Sequence, residues 1–294
     1  MKVLVCAAQQ NNALSHVCPD DQKFLPNAMK IIKLNWSEAE NKSILDLKDG
    51  ELCFPDLSYT EAIEPLTPST RLSQSIRAMC SNLEESRFFK IAQRIGCGNE
   101  REALADSAIA AKIRDLEESI KSQIKEIASE GTYPKDGVEE VFHLIQLWGG
   151  NTGRNIYVKK NGFEENWSFE AYQQIAKICT ACKSQELPQV LKCLEEQMEH
   201  IEHWGLAFAS KHYSFWNRNC ETPRLAIFDS ILCKGLFGKK TPNFKLYIKY
   251  LAALSKFADE HRIQIHNVER SLFNYFNSNH GVVWIALRMR RSEE

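Results

Sequence analysis

From Arg71 onward the apolar residues of this chain recur at steps of three and four. Leu72, Ile76, Met79, Leu83, Phe88, Ile91 and Ile95 trace one or two amphipathic helices closed by Gly96-Cys97-Gly98. Asn99 then reads as the N-cap of a long helix over residues 99–129. Ile109, Ile113, Leu116, Ile120, Ile124 and Ile127 run down one of its faces, and Glu, Lys and Arg crowd the other. Residues 131–134 read as a turn and 138–148 as a helix. The glycine-rich loop 149–154 follows, where missing side chains permit close backbone approach to another element or to a ligand. Ser168 caps a helix through Lys183, and a further helix runs from Ser184 or Gln185 through His203 with Pro188 in its first turn. Helical spacing returns over 244–258 and 268–276, before an apolar end-piece at 282–287.

Residues 1–70 behave differently. Pro19, Pro26, Pro55, Pro65 and Pro68 interrupt every period. Residues 3–8 suit a strand, 28–36 a short helix and 63–68 a linker. The expected architecture is therefore mainly α over 71–294, preceded by a small irregular or α+β N-terminal part. No internal repeat is apparent.

Composition adds bounds rather than chemistry. The 294 residues, 44% hydrophobic and 26% charged, can fill one large or two modest domains. No apolar run reaches the roughly 18 residues of a membrane-spanning helix, so no membrane partner is expected. Ten cysteines in a chain of this kind read as reduced thiols, which favours a cytoplasmic setting. The net charge of -1 conceals an uneven distribution. Residues 204–262 hold ten Lys and Arg against four Asp and Glu, whereas 186–203 hold one Lys against five Glu. The basic segment suits either a polyanion-binding face or a solvated helix surface.

Several chemistries fail on spacing. Cys179-x-x-Cys182 with His200-x-x-His203 resembles a zinc set, but His-x-x-His is too short and both pairs lie in continuous helical periodicity, so no metal is expected. The 149–154 loop lacks the Lys-Ser/Thr ending of a phosphate loop. There is no Gly-x-Ser-x-Gly elbow and no His-Glu-x-x-His helix. The carboxylate pairs Glu117/Glu118 and Glu195/Glu196 fall on polar helix faces.

Two charges stand in unexpected places. Lys211 follows Ala207-Phe208-Ala209-Ser210, and Asp229 follows Leu225-Ala226-Ile227-Phe228. A charge in apolar sequence costs several kcal/mol unless it has a partner, so the two read as one site assembled from two helix ends. Desolvation would lower the lysine pKa and supply a neutral, nucleophilic amine. The residues alone leave open a buried ion pair that simply joins two helices.

The segments Trp204-Gly205-Leu206-Ala207-Phe208-Ala209-Ser210-Lys211 and Leu225-Ala226-Ile227-Phe228-Asp229-Ser230 resemble the helix-hairpin-helix DNA glycosylases. They are most similar to the 8-oxoguanine DNA glycosylase type and its prokaryotic relatives. Leu147-Trp148-Gly149-Gly150-Asn151-Thr152-Gly153-Arg154 and Val268-Glu269-Arg270-Ser271-Leu272-Phe273 add to the likeness, which spans roughly residues 138–276. It departs from the family in the hairpin: Ala207 and Ala209 stand where glycines are usual, and no proline precedes them. The resemblance implies a helical domain over 71–294 with the hairpin at about 186–230. It implies DNA as the partner, in repair or phage defence, and no cofactor. It also implies excision of a damaged or modified base by Lys211 attack at C1′, assisted by Asp229, with strand cleavage able to follow. Trp148, Arg154, His212, Phe215 and Trp216 would then bind the extruded base. Gly205, Ala207, Ala209, Arg218, Arg224, Lys239, Lys240 and Lys245 would face the DNA backbone. The competing expectations are a DNA-binding protein without catalysis and an all-α interaction protein that binds a protein partner through the 99–129 helix.

Overall fold

A computed structural model describes residues 31–35, 52, 56–60, 106–149, 155–159, 162–182, 187–220, 222–277 and 279–290. The expectations for residues 3–8, 63–68 and 71–95, the Asn99 cap, Arg154 and most of the 149–154 loop lie outside them. Eleven helices occur among the described residues, with one two-stranded antiparallel sheet. Strand β1 (Ile31–Asn35) pairs with β2 (Asp56–Thr60), Ile31 opposite Thr60 and Lys33 opposite Ser58. The short helix expected over 28–36 is therefore a strand in its described part. A five-residue run rich in isoleucine carries no period long enough to separate the two states.

The helical body begins with α1 (Asp106–Glu130), whose Leu116, Ile120, Ile124 and Ile127 are buried as a stripe. Pro134 and the left-handed Tyr133 turn the chain into α2 (Lys135–Gly149). Two single-turn helices follow, α3 (Asn155–Val158) and α4 (Phe163–Asn166). In α5 (Phe169–Ala181) the Ser168 hydroxyl accepts from the Ala171 N–H, as its sequence position predicts. Helix α6 (Leu187–Met198) is shorter than expected: turns carry residues 199–203 to α7 (Leu206–Asn217). An extended segment leads to α8 (Ser230–Phe237), followed by α9 (Phe244–His261), α10 (Ile265–Asn277) and α11 (Asn279–Arg290). The apolar end-piece at 282–287 is thus part of a helix.

Helix α7 organises the rest. Its mixture of Leu, Phe, Tyr and Trp gives it almost no polar face, and a helix apolar all round is buried all round. It packs against α1, α2 and α5. Phe142 of α2 sits at the centre of a cluster of rings from Trp167, Tyr172, Trp204 and His212. On the other side, Gly235 of α8 lets Phe276 of α10 approach so closely that a Cβ there would lie 2.5 Å from its ring. These contacts pack α10 against α8 on one side and α7 against α1, α2 and α5 on the other. No helix among the described residues is long and apolar enough to cross a membrane.

Candidate active site

The chain reverses between α6 and α7, and the residue with positive φ is His203 (φ 58), not a glycine. Gly205 is the N-cap of α7 with φ -77, and it has no side chain to cap the first N–H groups. Ala207 and Ala209 do not stand in the hairpin. Both lie inside α7, and Ala209 is fully buried, so it presents nothing to a ligand. The glycines missing from the hairpin are not required at these positions, because helical backbone accepts alanine best of all residues.

Lys211 lies in the middle of α7 rather than at its start. Its side chain is partly buried and runs over the end of α2, where Nζ donates to the Gly149 carbonyl at 3.3 Å. The ring centroids of Phe208 and Trp148 lie 4.4 and 5.8 Å from Nζ. Gly149 makes room for this: a Cβ there would stand 2.8 Å from Phe208 and 3.4 Å from Lys211 Cδ. The close backbone approach expected of the glycine-rich loop is realised at this first glycine. Burial lowers the Lys211 pKa, and the charges of Asp229 and Glu269 oppose that shift.

Asp229 is the N-cap of α8. Its Oδ1 accepts from the N–H groups of Ile231 and Leu232 at 2.9 and 3.0 Å. Oδ2 makes no hydrogen bond among the described residues. Burial raises the Asp229 pKa, while Lys211 and the two backbone donors lower it. No ion pair within 4 Å joins Lys211 to Asp229. Each instead feels the other's charge. Their relative position is set one residue back along each chain: the Ser210 hydroxyl, fully buried, accepts from the Phe228 N–H at 3.0 Å. Asn217 adds a second tie, accepting from the N–H groups of Arg224 and Leu225 at 2.6 and 2.8 Å.

Trp148 packs edge to face on the buried Phe215 at 5.0 Å. Trp148 donates from Nε1 to Glu117 at 2.9 Å. His212 and Trp216, expected as stacking faces, are instead fully buried on the opposite side of α7. Trp216 Nε1 donates to the Tyr172 hydroxyl at 2.9 Å, and that hydroxyl lies 2.6 Å from His212 Nδ1. The His212 tautomer sets which of the hydroxyl and Nδ1 donates in this pair. Burial lowers the His212 pKa well below its ordinary value, so the ring is neutral.

The expected backbone contacts divide in the same way. Arg224 is committed to Asp259 through Nη1, at 2.9 and 3.1 Å, and is not free for a phosphate. Arg218 stacks on Phe215 at 4.1 Å and makes no ion pair among the described residues. Lys239, Lys240 and Lys245 do converge. With Lys249 and Asn243 they line a cleft of ≈ 470 Å³ at the far end of α8. That helix is about 12 Å long by its rise per residue. The N-cap of α9, Asn243, accepts from Leu246 at the same cleft. Of the cysteine and histidine pairs, Cys179 and Cys182 are buried while His200 and His203 are exposed.

Glu117, Phe208, Lys249 and Glu269 are the cleft residues that sequence reasoning missed. For Glu269 a signal exists: it falls between Ile265 and Leu272 at helical spacing, a carboxylate on the apolar face of α10. No curated protein and no solved structure matches the chain. A family model described as "Putative 8-oxoguanine DNA glycosylase OGG-like protein" matches residues 100–273, more than half of the chain and all of the cleft just described. The chain belongs to this OGG-like family, of DNA glycosylase type.

Proposed function

We propose that the protein is a DNA glycosylase in which Lys211 is the nucleophile and Asp229 its electrostatic partner. The observation that carries this reading is a partly buried amine with no carboxylate within 4 Å among the described residues, in the field of a carboxylate whose Oδ2 makes no hydrogen bond there. Chemistry follows from those two groups. A target base leaves the stack and enters the cleft, at a cost of a few kcal/mol. The Lys211 lone pair forms the Nζ–C1′ bond while the C1′–N bond breaks and its electron pair leaves with the base. Asp229, ionised, stabilises the positive charge that develops at C1′. Loss of a proton from nitrogen and opening of the sugar ring give a Schiff base, from which β-elimination of the 3′ phosphate supplies lyase activity. Trp148 and Phe215 offer the apolar wall.

The uncapped N-terminus of α7, Arg218 and the Lys239, Lys240, Lys245 and Lys249 cleft are the groups we assign to the DNA backbone. An oxidised guanine is the base the family resemblance favours, and a bulkier modified base of the kind found in some phage genomes is the alternative. The setting in this reading is cytoplasmic DNA. Borohydride trapping on an abasic-site duplex tests it. Wild-type protein should form a covalent adduct, and Lys211→Gln should lose the adduct entirely while still shifting the duplex in a gel. Adduct formation by the glutamine variant would overturn the nucleophile assignment.

A further inference from the structure

Glu117 takes no part in the bond changes at C1′, yet one of its oxygens ties two helices together beside the amine. Its side chain, on α1, is 20% exposed, and Oε1 accepts from Trp148 Nε1 at 2.9 Å and from Arg270 Nη2 at 2.8 Å. The two donors come from the end of α2 and from α10, 31 and 153 positions away in the chain. Trp148 stands close to the reacting group. Its ring centroid lies 5.8 Å from Lys211 Nζ, and the carbonyl of the next residue, Gly149, accepts from that Nζ at 3.3 Å. The ring also meets Phe215 edge to face at 5.0 Å. Aromatic pairs tolerate a range of tilts and offsets, whereas a hydrogen bond at the indole nitrogen fixes how the ring is turned. An indole has one donor and no acceptor, so with Nε1 bound to Glu117 the ring presents only carbon surface to whatever approaches Lys211. Arg270, donating to the same oxygen, supplies the counter-charge that a half-buried carboxylate needs.

Resting on the glycosylase reading, we propose that Glu117 is a positioning residue for the reaction at Lys211. A lysine stem has four carbons and many rotamers, so an amine aimed at C1′ needs contacts at its head group that stay in place. Trp148 and Gly149 supply two of them, the ring face and the carbonyl, and they are consecutive residues at the end of one helix. Glu117 is the tie between that helix end, α1 and α10. By fixing the indole it fixes the surface and the acceptor against which the amine is oriented. No bond or proton changes at Glu117 itself.

The rate of borohydride trapping on an abasic-site duplex, measured at saturating protein, separates positioning from a structural role. Glu117→Leu removes both hydrogen bonds and should slow trapping by roughly 10- to 10²-fold, with the Kd for the duplex unchanged. Glu117→Gln gives up the ion pair but keeps an oxygen for the indole, and should recover most of the lost rate. Trp148→Phe keeps a ring and removes the donor, so trapping should fall by a similar factor to the leucine variant. Because the two residues act through one bond, the double variant should be no slower than the slower single one. Additive losses, a glutamine variant as slow as the leucine one, or a wild-type rate in Trp148→Phe would each overturn the proposal. The last two readings need no folded Glu117→Leu. Exchange of the Trp148 indole proton, followed by NMR on protein labelled at the indole nitrogen, is independent of catalysis and should be faster in Glu117→Leu than in the wild type or Glu117→Gln. Equal exchange with and without Glu117 would overturn the proposal whatever the kinetics, whereas failure of the wild-type protein to trap the duplex would overturn the assignment of Lys211 on which it rests.

Discussion

Lys211 and His212 are consecutive residues with opposite surroundings. His212 points into the Phe142, Tyr172 and Trp216 cluster, where a chain of hydrogen bonds runs from indole to hydroxyl to imidazole. Lys211 points the other way, into the field of Asp229 and Glu269, and Asp229 Oδ2 makes no hydrogen bond among the described residues. Both surroundings carry titratable groups, and neither satisfies every polar atom, since His212 Nε2 and the indole nitrogens of Trp167 and Trp204 have no partner among the described residues. They differ in charge. Burial holds Tyr172 and His212 neutral, whereas Lys211 and Asp229 feel each other's charge without an ion pair within 4 Å. On this view perturbed pKa values alone do not mark the active side of α7, since His212 is shifted at least as firmly as Lys211. Opposite charges held apart do.

The comparison breaks first at Asp229. Asn serves nearly as well as Asp at a helix N-cap, so Asp229→Asn should cost under about 1 kcal/mol of stability. Losing the charge at the developing cation should slow base release by roughly 10²–10³-fold. A thermal melt paired with single-turnover kinetics checks both halves, and a large stability loss with base release unchanged would make Asp229 a structural cap. Next comes Tyr172→Phe, which removes the link between Trp216 and His212. Each stranded partner should cost on the order of 1–3 kcal/mol, read as a lower Tm, with the trapping rate of the folded fraction unchanged. The smallest effect distinguishes two arginines. Arg224→Ala loses a pair with the 62% exposed Asp259, worth no more than about 1 kcal/mol, and should leave DNA affinity unaltered. Arg218→Ala should weaken binding and reduce the salt slope by about one. Equal behaviour of the two variants would remove Arg218 from the DNA surface.

Much of this was legible in the chain. Lys211 and Asp229 announce themselves as charges in apolar runs, and α1, α2, α5, α9 and α10 follow the period read for them. The misreadings have physical causes. Helix α7 begins at a glycine without a capping side chain, so its start gave no Ser, Asp or Asn signal. The hairpin was consequently set a few residues late, onto Ala207 and Ala209. Because α7 is buried on nearly every side, its period could not tell His212 and Trp216, which pack on the Tyr172 side, from Phe215, which packs on Trp148. Arg224 looked free because Asp259 lies 35 positions away in sequence. Glu269 was visible as a carboxylate on an apolar face.

Gly149 carries a consequence of another kind, about inheritance. The volume a β-carbon would need at 149 is taken by the ring of Phe208, 2.8 Å away, while the stem of Lys211 at 3.4 Å is in ordinary contact. As long as that ring keeps its place, position 149 is closed to every residue with a β-carbon. If a descendant exchanges the phenylalanine for a smaller residue, the space opens and drift can begin there. Positions 149 and 208 are therefore expected to change in a fixed order, the phenylalanine first and the glycine after it. Within a lineage, an alanine or serine at 149 would then mark a protein in which the ring beside Lys211 Nζ had already gone.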